Sequence, residues 1–261
     1  MTRLLSGLVM IAGMLAAIWY APPPVFLAVL ALILAAACRE LAGLMVQSRV
    51  AVPLYASTAG ALAACAAVAV PGAHTGLVLV GTMLALLVWV LATRKPAPDV
   101  PAAAAAAVFP VVYLAVPLAL TAVIRDTWGR EVLLLGLLVV WISDTAQFYA
   151  GSLLGKHRLA PAISPKKSVE GAVGGFLAGM AAMAGLGQMW LPALGVPALA
   201  AAGAGLVALG IAGDLFESLL KRSASVKDSS ALIPGHGGVL DRIDALLFVM
   251  PGYYLFLTLV S

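Results

Sequence analysis

The hydropathy pattern divides the chain into long apolar segments separated by short polar connections. Nine segments are continuously apolar, and many approach the roughly 20 residues that an α-helix needs to cross a bilayer. They are residues 3–20, 24–44, 53–71, 75–93, 102–124, 131–152, 170–188, 193–213 and 244–260. Because backbone groups in lipid must hydrogen-bond within their own segment, such runs predict helices rather than barrel strands. The predicted fold is an all-α polytopic membrane helical bundle of about nine transmembrane helices.

Composition agrees with a membrane protein, since 63% of the 261 residues are hydrophobic and only 10% are charged. Residues 3–20 resemble a signal peptide, but Ala21–Pro24 makes a poor cleavage context, so a first membrane helix is the preferred interpretation. Cys38 and Cys65 lie inside apolar runs and are interpreted as small core residues. Two prolines, Pro110 and Pro117, are expected to kink the fifth helix.

The basic residues predict an orientation. If the N-terminus is inside, thirteen of the fifteen Lys and Arg residues lie on the inner side, and only Arg125 and Arg130 lie outside. These bases are spread between apolar segments, which predicts a bilayer rather than a nucleic acid as the partner. Two polar inner loops, 153–169 and 214–243, are therefore predicted to form the functional site.

The second inner loop opens with polar residues at helical spacing. Asp214, Glu217, Ser218 and Lys221 follow an i, i+3, i+4, i+7 pattern, which places them on one helix face. One interpretation is a site that bears two carboxylates, a hydroxyl and an ammonium group. The other is a helix end that emerges into water and carries surface pairs such as Glu217 with Lys221.

A glycine-rich segment follows in the same loop. Glycines flank His236, and such residues let backbone N–H groups approach an anion closely. Asp241 next to Arg242 offers carboxylate oxygens for a hard cation and a guanidinium group for phosphate oxygens. This combination is what phosphoryl chemistry requires, namely a cation and fixed positive charges around a polyphosphate.

Two stretches of this chain resemble one enzyme family. The first is Ser218-x-Leu220-Lys221-Arg222, four residues, then Lys227-Asp228-x-Ser230-x-x-Ile233-Pro234-x-His236-Gly237-Gly238-Val239-x-Asp241-Arg242-Ile243-Asp244. The second includes Asp144-x-x-x-x-Tyr149 and Ile163-Ser164-Pro165-Lys166-Lys167-Ser168-x-Glu170-Gly171. Both resemble the phosphatidate cytidylyltransferases, also called CDP-diacylglycerol synthases. Residues 218–244 match that signature without departure, while Ser168 replaces the usual Thr and Phe148 stands where a small residue is common.

The resemblance implies a reaction, substrates and a cofactor. The phosphate of phosphatidic acid attacks the α-phosphorus of CTP, and CDP-diacylglycerol and pyrophosphate form. Mg²⁺ is the expected cofactor, and Asp214 and Asp241 are the expected ligands of this ion. The resemblance is also compatible with a second cation. The lipid bilayer is a further partner, and a homodimer is a family expectation. The inner (plasma) membrane of a bacterial cell, with the site facing the cytoplasm, is the expected location.

Each candidate residue also has a plainer interpretation. The catalytic candidates are Asp214, Lys221, His236, Asp241 and Arg242. The substrate-binding candidates are Asp144, Lys166, Lys167, Ser168, Ser218, Arg222, Lys227, Asp228, Gly237, Gly238 and Asp244. The acids could instead be interfacial ion pairs, His236 a structural loop residue, and the lysines an anchor for anionic lipids.

Two other functions stay open at this point. One is a CTP-dependent lipid-alcohol kinase, and the other, from a different class, is a cation-coupled transporter. The sequence has no internal repeat of the kind that many transporters carry. Residues 1–130 are predicted to form N-terminal membrane helices, and residues 131–261 a catalytic membrane region that carries the signature 218–244.

Overall fold

A computed structural model of the protein describes residues 2–233, 235 and 237–260, with side chains from residue 7 onward. The N-terminal half contains α1 (Thr2–Tyr20), α2 (Pro23–Gln47), α3 (Leu54–Ala69), α4 (Thr75–Thr93), α5 (Val100–Pro110) and α6 (Val116–Trp128). The C-terminal half contains α7 (Arg130–Leu154), β1 (Arg158–Ala160), β2 (Ser164–Ser168), α8 (Val169–Trp190), α9 (Val196–Ser223) and α10 (Leu240–Val260). The all-α polytopic membrane fold is confirmed.

Seven helical segments of the described chain are long and apolar enough to cross a membrane. Two of the nine predicted spans are not among these seven. One is α3 (Leu54–Ala69), a shorter apolar helix, and the other is α1 (Thr2–Tyr20), whose described apolar stretch is Gly7–Tyr20. The 16 residues of α3 extend about 24 Å, less than the roughly 30 Å of a hydrocarbon core. The fifth predicted span is a continuous helical segment, Val100–Trp128, in which a π-helical stretch, Val111–Ala115, directly follows Pro110.

The two polar inner loops differ from the sequence-based expectation. Residues 153–169 include an antiparallel hairpin in which Arg158 pairs with Ser168 and Ala160 pairs with Ser164. The helix α9 continues ten residues past the predicted end at 213, and α10 begins at Leu240 instead of 244. The second loop therefore shrinks to residues 224–239, called the signature loop below.

The chain forms two compact units. Unit 1 comprises Met1–Val123 and Leu220–Ile243, and unit 2 comprises Ile124–Leu219 and Asp244–Ser261. The predicted division separates N-terminal membrane helices, residues 1–130, from a catalytic region, residues 131–261, and it stays a prediction. Within unit 1, α3 packs against α2 and α4 through small side chains, and Ala61 and Ala64 are fully buried. Small residues let helix backbones approach closely, which is how membrane helices associate.

In unit 2, a glycine face of α8 packs along α7. A Cβ atom added at Gly171 would lie 2.9 Å from the backbone oxygen of Gln147, and one added at Gly175 would overlap the Gln147 side chain. At the other end of α7, the buried Tyr253 hydroxyl donates a hydrogen bond to the Val132 carbonyl at 2.9 Å. These contacts fix α7 within unit 2 and so position the polar residues that it carries.

Candidate active site

Unit 2 contains a polar cluster formed by α7, the hairpin and α9, called the Asp144–Asp214 cluster. The Lys167 ammonium group lies 2.6 Å from Asp214 Oδ2. Ser218 Oγ donates to Asp214 Oδ1 at 3.3 Å, one turn along α9, as the predicted helical spacing requires. Gln147 Nε2 donates to Asp144 Oδ1 at 3.1 Å, and Asp144 interacts electrostatically with both Asp214 and Lys167.

The hairpin that presents Lys167 is tied to the start of α8. Ser168 is the N-cap of that helix, and its buried side chain accepts a hydrogen bond from the Gly171 N–H at 3.1 Å. The Glu170 carboxylate accepts from the backbone N–H groups of Lys156 and His157, and it lies 2.6 Å from His157 Nδ1. Ser168, a predicted binding residue, therefore stabilises the junction between the hairpin and α8. Of the two predicted lysines, Lys167 contacts the Asp214 carboxylate and Lys166 is exposed.

The Asp144–Asp214 cluster is accessible and carries an excess of negative charge. Asp144 is exposed, and 39% of the Asp214 side chain is accessible. Two carboxylates and one ammonium group leave a net charge of about −1 when all are ionised. Within the described residues, no group of three or more His, Cys, Asp or Glu side chains could hold a metal ion. Mg²⁺, however, commonly takes one or two carboxylates and completes its shell with water and substrate phosphates, so two accessible carboxylates fit that ion. A cation that binds Asp214 Oδ2 would have to displace Lys167.

Unit 1 contains the second polar cluster, which is centred on Asp241. Its Oδ1 atom accepts a hydrogen bond from Lys221 Nζ at 2.6 Å. Its Oδ2 atom accepts from the Ser229 N–H at 2.9 Å, the Ser229 hydroxyl at 2.8 Å and the Gly238 N–H at 2.8 Å. Only 5% of the Asp241 side chain is exposed. Both oxygens are occupied, so a metal would have to displace Lys221 to reach Oδ1, and the predicted ligand role of Asp241 stays a prediction.

Glu40 is a member of this cluster that the sequence interpretation missed. It lies on α2, is only 6% exposed, and accepts four hydrogen bonds from residues of the signature loop and the start of α10. One signal could have found it, because a carboxylate inside an apolar span is costly unless it has protein partners. Ser229, which also occupied no fixed position in the motif, lies within hydrogen-bond distance of both carboxylates.

The other predicted residues have different environments. Lys227, Asp228 and Arg242 are exposed, and so is Arg222, whose Nη1 donates to the Val226 carbonyl at 3.1 Å. Gly237 has φ +81°, and an added Cβ there would lie 2.7 Å from Asp241 Oδ2. Asp244 is half-buried in unit 2 and accepts from the neighbouring Ala245 N–H at 2.8 Å. Pro234 and His236 lie outside the described residues, so the role of His236 stays a prediction.

Comparison with known proteins identifies the family. The sequence model of the Cytidylyltransferase family matches residues 1–260, so this chain belongs to that family. A relative from Bacillus subtilis (strain 168) is 41% identical over 138 residues, which cover 52% of this chain and 51% of the relative. Relatives from Staphylococcus aureus (strain COL) and Staphylococcus epidermidis (strain ATCC 12228) are 38% identical over 125 residues and 41% over 124, with 47% of each chain covered.

All three relatives carry the name phosphatidate cytidylyltransferase. The chain spans about half the length of the curated relatives it matches. The resemblance to this family that residues 144–171 and 218–244 indicated is therefore confirmed at the level of the family.

Proposed function

We propose that this protein is a phosphatidate cytidylyltransferase, which converts CTP and phosphatidate to CDP-diacylglycerol and pyrophosphate in phospholipid biosynthesis. The observation that carries this proposal is the match of residues 1–260 to the Cytidylyltransferase family. The shared name of the bacterial relatives supports the choice of substrates. In this reaction a phosphate oxygen of phosphatidate forms a bond to the α-phosphorus of CTP. The bond from that phosphorus to the β-phosphate oxygen breaks, and pyrophosphate leaves with the electron pair.

The Asp144–Asp214 cluster is the proposed place for a divalent cation. Asp144 and Asp214 supply hard oxygen ligands, and 39% of the Asp214 side chain is accessible to solvent. When bound, Mg²⁺ would neutralise part of the negative charge on the triphosphate. Lys167 adds a fixed positive charge beside Asp214, and Ser218 orients the Asp214 carboxylate through its hydrogen bond. These residues hold and orient the phosphate groups before the transfer.

The signature loop is the proposed binding segment for phosphate charge. Exposed bases lie on both sides of it, with Arg222 and Lys227 before the glycines and Arg242 after them. A guanidinium group can bind two phosphate oxygens at once, and an ammonium group can bind one as a point charge. The Lys221–Asp241 pair and the Ser229 and Gly238 hydrogen bonds fix the loop in unit 1. A loop backbone that is already ordered loses little entropy on binding, so bases attached to it can stabilise the charge that develops in the transition state.

The proposed location is the inner membrane of a bacterial cell, with the polar clusters on the cytoplasmic side. Seven long apolar helical segments among the described residues make the chain an integral membrane protein, and the relatives are bacterial. The bias of basic residues toward one set of connections supports the proposed orientation. CTP is a soluble, charged substrate, whereas phosphatidate resides in the leaflet, so a site at the membrane surface is reached by both.

Transfer of label from CTP tests this proposal directly. The purified protein is given phosphatidate, Mg²⁺ and CTP labelled either at the α- or at the γ-phosphate. We expect α-label to enter the lipid and γ-label to leave as pyrophosphate. A parallel reaction replaces phosphatidate with diacylglycerol. Transfer of γ-label to that alcohol, with release of CDP, would identify a kinase instead, and the absence of any labelled lipid would reject both assignments.

A further inference from the structure

We infer that Glu40 is a positioning residue that holds the signature loop in its binding conformation from the opposite end of the sequence. The inference rests on the proposed function only for what the loop binds. Glu40 lies on α2, and its four hydrogen-bond donors lie 189 to 200 residues later in the chain. It therefore links the N-terminal helices of unit 1, which carry none of the signature residues, to the loop that carries many of them.

The four contacts use both oxygens of the Glu40 carboxylate. Oε1 accepts from the Ser230 hydroxyl at 2.6 Å and from the Val239 N–H at 3.0 Å. Oε2 accepts from the Leu240 N–H at 2.7 Å and, at 3.0 Å, from the Ser229 hydroxyl, whose single proton is shared with Asp241 Oδ2. An ionised carboxylate only accepts hydrogen bonds, and bonds to an ionised group are about twice as strong as neutral ones. The buried charge is thus compensated by donors that come from both ends of one loop segment.

Two of these donors lie at the start of a helix. Val239 directly precedes α10 and Leu240 is its first residue, so their N–H groups have no acceptor within that helix. A negative charge at this end also interacts favourably with the helix dipole. Glu40 therefore acts as a cap supplied by another helix, and it fixes where α10 begins. That start determines the position of Asp241 and Arg242, which occupy the first turn of α10.

The Glu40 carboxylate also explains why residue 238 is glycine. A Cβ atom added at Gly238 would lie 2.5 Å from Glu40 Oε2 and 2.6 Å from Oε1, and it would overlap the Ser229 hydroxyl. The Gly238 N–H meanwhile donates to Asp241 Oδ2 at 2.8 Å. The backbone of the loop is thus enclosed between two carboxylates, Glu40 on one helix and Asp241 on another. We conclude that the loop conformation depends on Glu40 as well as on residues of the signature.

The test compares Glu40→Gln with Arg39→Gln, a change at the adjacent, exposed position of α2. Glutamine retains one acceptor oxygen but places an NH₂ group where two donors now point, so it cannot keep all four bonds. Backbone hydrogen exchange is measured on the purified full-length proteins. We expect exchange in peptides covering residues 226–242 to accelerate at least about tenfold in Glu40→Gln, since several bonds to an ionised group are lost. Peptides from α7 and the Arg39→Gln protein should exchange as in the wild type.

Steady-state kinetics gives the second readout. We expect the KM for CTP to rise about tenfold or more in Glu40→Gln, with a smaller change in kcat, because the loop must be ordered before it binds. If Glu40→Gln fails to fold, Ser230→Ala removes one of the four bonds, together with the local bond from the Leu232 N–H at 3.1 Å, and should shift both readouts less, in the same direction. Unchanged exchange in either folded variant overturns the inference, as does faster exchange with an unchanged KM, since Glu40 would then have a purely structural role.

The outcome for Glu40 is distinguishable from the outcome for the proposed function. If the wild type forms no CDP-lipid, the proposed function fails, and hydrogen exchange without substrate still decides whether Glu40 holds the loop. If the wild type is active and Glu40→Gln matches Arg39→Gln in exchange and in KM, the positioning role fails while the proposed function stands.

Discussion

The two carboxylate clusters of this protein use the same kind of side chain in opposite ways. Around the signature loop, Glu40 and Asp241 are nearly buried, and their oxygens accept hydrogen bonds from loop amides, hydroxyls and Lys221. In unit 2, Asp144 is exposed and Asp214 is 39% accessible, and each accepts one side-chain hydrogen bond from the described residues. Asp214 additionally pairs with a single lysine, Lys167.

This difference in occupancy indicates a difference in role. A carboxylate whose lone pairs are filled by the protein stabilises a conformation, and removing it leaves several buried donors without acceptors. A carboxylate that has fewer protein donors and is open to solvent can exchange one of them for a cation or a ligand at lower structural cost. The sequence alone presents Asp144, Asp214 and Asp241 as site candidates and does not indicate Glu40, because the charge pattern does not reveal how many donors surround each acid.

The largest expected effect is on stability, from Asp241→Asn. The change removes the negative charge that pairs with Lys221, 11% exposed, and replaces one of the two oxygens that accept from Lys221, Ser229 and Gly238 with an NH₂ group. Breaking a buried ion pair costs about 3–5 kcal/mol, so thermal unfolding in detergent should shift strongly and activity should fall with it. A variant that unfolds like the wild type would show that the Lys221–Asp241 contact does not fix the loop.

Asp214→Asn should have the opposite effect, with little change in stability and a large fall in turnover. Because the Asp214 side chain is partly exposed, we expect unfolding to change by less than about 1 kcal/mol. Turnover should fall about 100-fold or more, because a cation site supplies several kcal/mol and each 1.36 kcal/mol is tenfold in rate. The matched control is Asp99→Asn, which alters a different exposed acid, one that pairs with Arg94, and should retain turnover. Near-normal turnover in Asp214→Asn would exclude it from the reaction.

Gly238→Ala tests the close approach of Glu40 to the loop backbone. The added methyl group would press against both Glu40 oxygens, and overpacking of this kind costs about 1–3 kcal/mol. We expect lower thermal stability together with a higher KM for CTP. Gly185→Ala is the control, because an added Cβ at that helical position meets nothing within 4 Å. Equal behaviour of the two variants would contradict the described loop packing.

The smallest effect is expected from Glu170→Gln, at the base of the hairpin. Glutamine weakens the bonds from the Lys156 and His157 backbone and removes the charged partner of the His157 ring. The weakened bonds should accelerate hydrogen exchange of residues 156–168 by no more than a few-fold. Since Lys167 keeps its pairing with Asp214, turnover should fall much less than in Asp214→Asn. A loss as large as that one would mean that Glu170 takes part directly in the reaction.

Much of the fold could be predicted because bilayer physics constrains it. Continuous apolar runs predict the helices, and helical spacing predicts that Asp214 and Ser218 lie one turn apart, as the structure confirms. The sequence does not predict the hairpin at 158–168, because its strands are three and five residues long and lack alternating hydrophobic residues. The sequence does not predict the contacts of Glu40, because the groups that donate hydrogen bonds to it lie about 190 residues later in the chain. No local sequence pattern encodes a contact over such a separation.

The boundaries of the polar loops show the same limit. Polar residues at 214–221 were interpreted as the end of a span, whereas α9 continues to Ser223 because its polar face finds partners within the protein. The start of α10 at Leu240 likewise depends on the Glu40 carboxylate, which caps it from α2. Tertiary hydrogen bonds, rather than local hydropathy, decide where these helices begin and end.

Cation binding tests the contrast between the two clusters most directly. Mn²⁺ is a spectroscopic substitute for Mg²⁺ at oxygen ligands, and its binding to the purified protein can be titrated by electron paramagnetic resonance. The wild type and Asp99→Asn should bind Mn²⁺ with equal affinity, and Asp214→Asn should lose that binding while its thermal unfolding stays unchanged. Wild-type Mn²⁺ affinity in a folded Asp214→Asn protein would contradict the assignment of the cation to the Asp144–Asp214 cluster.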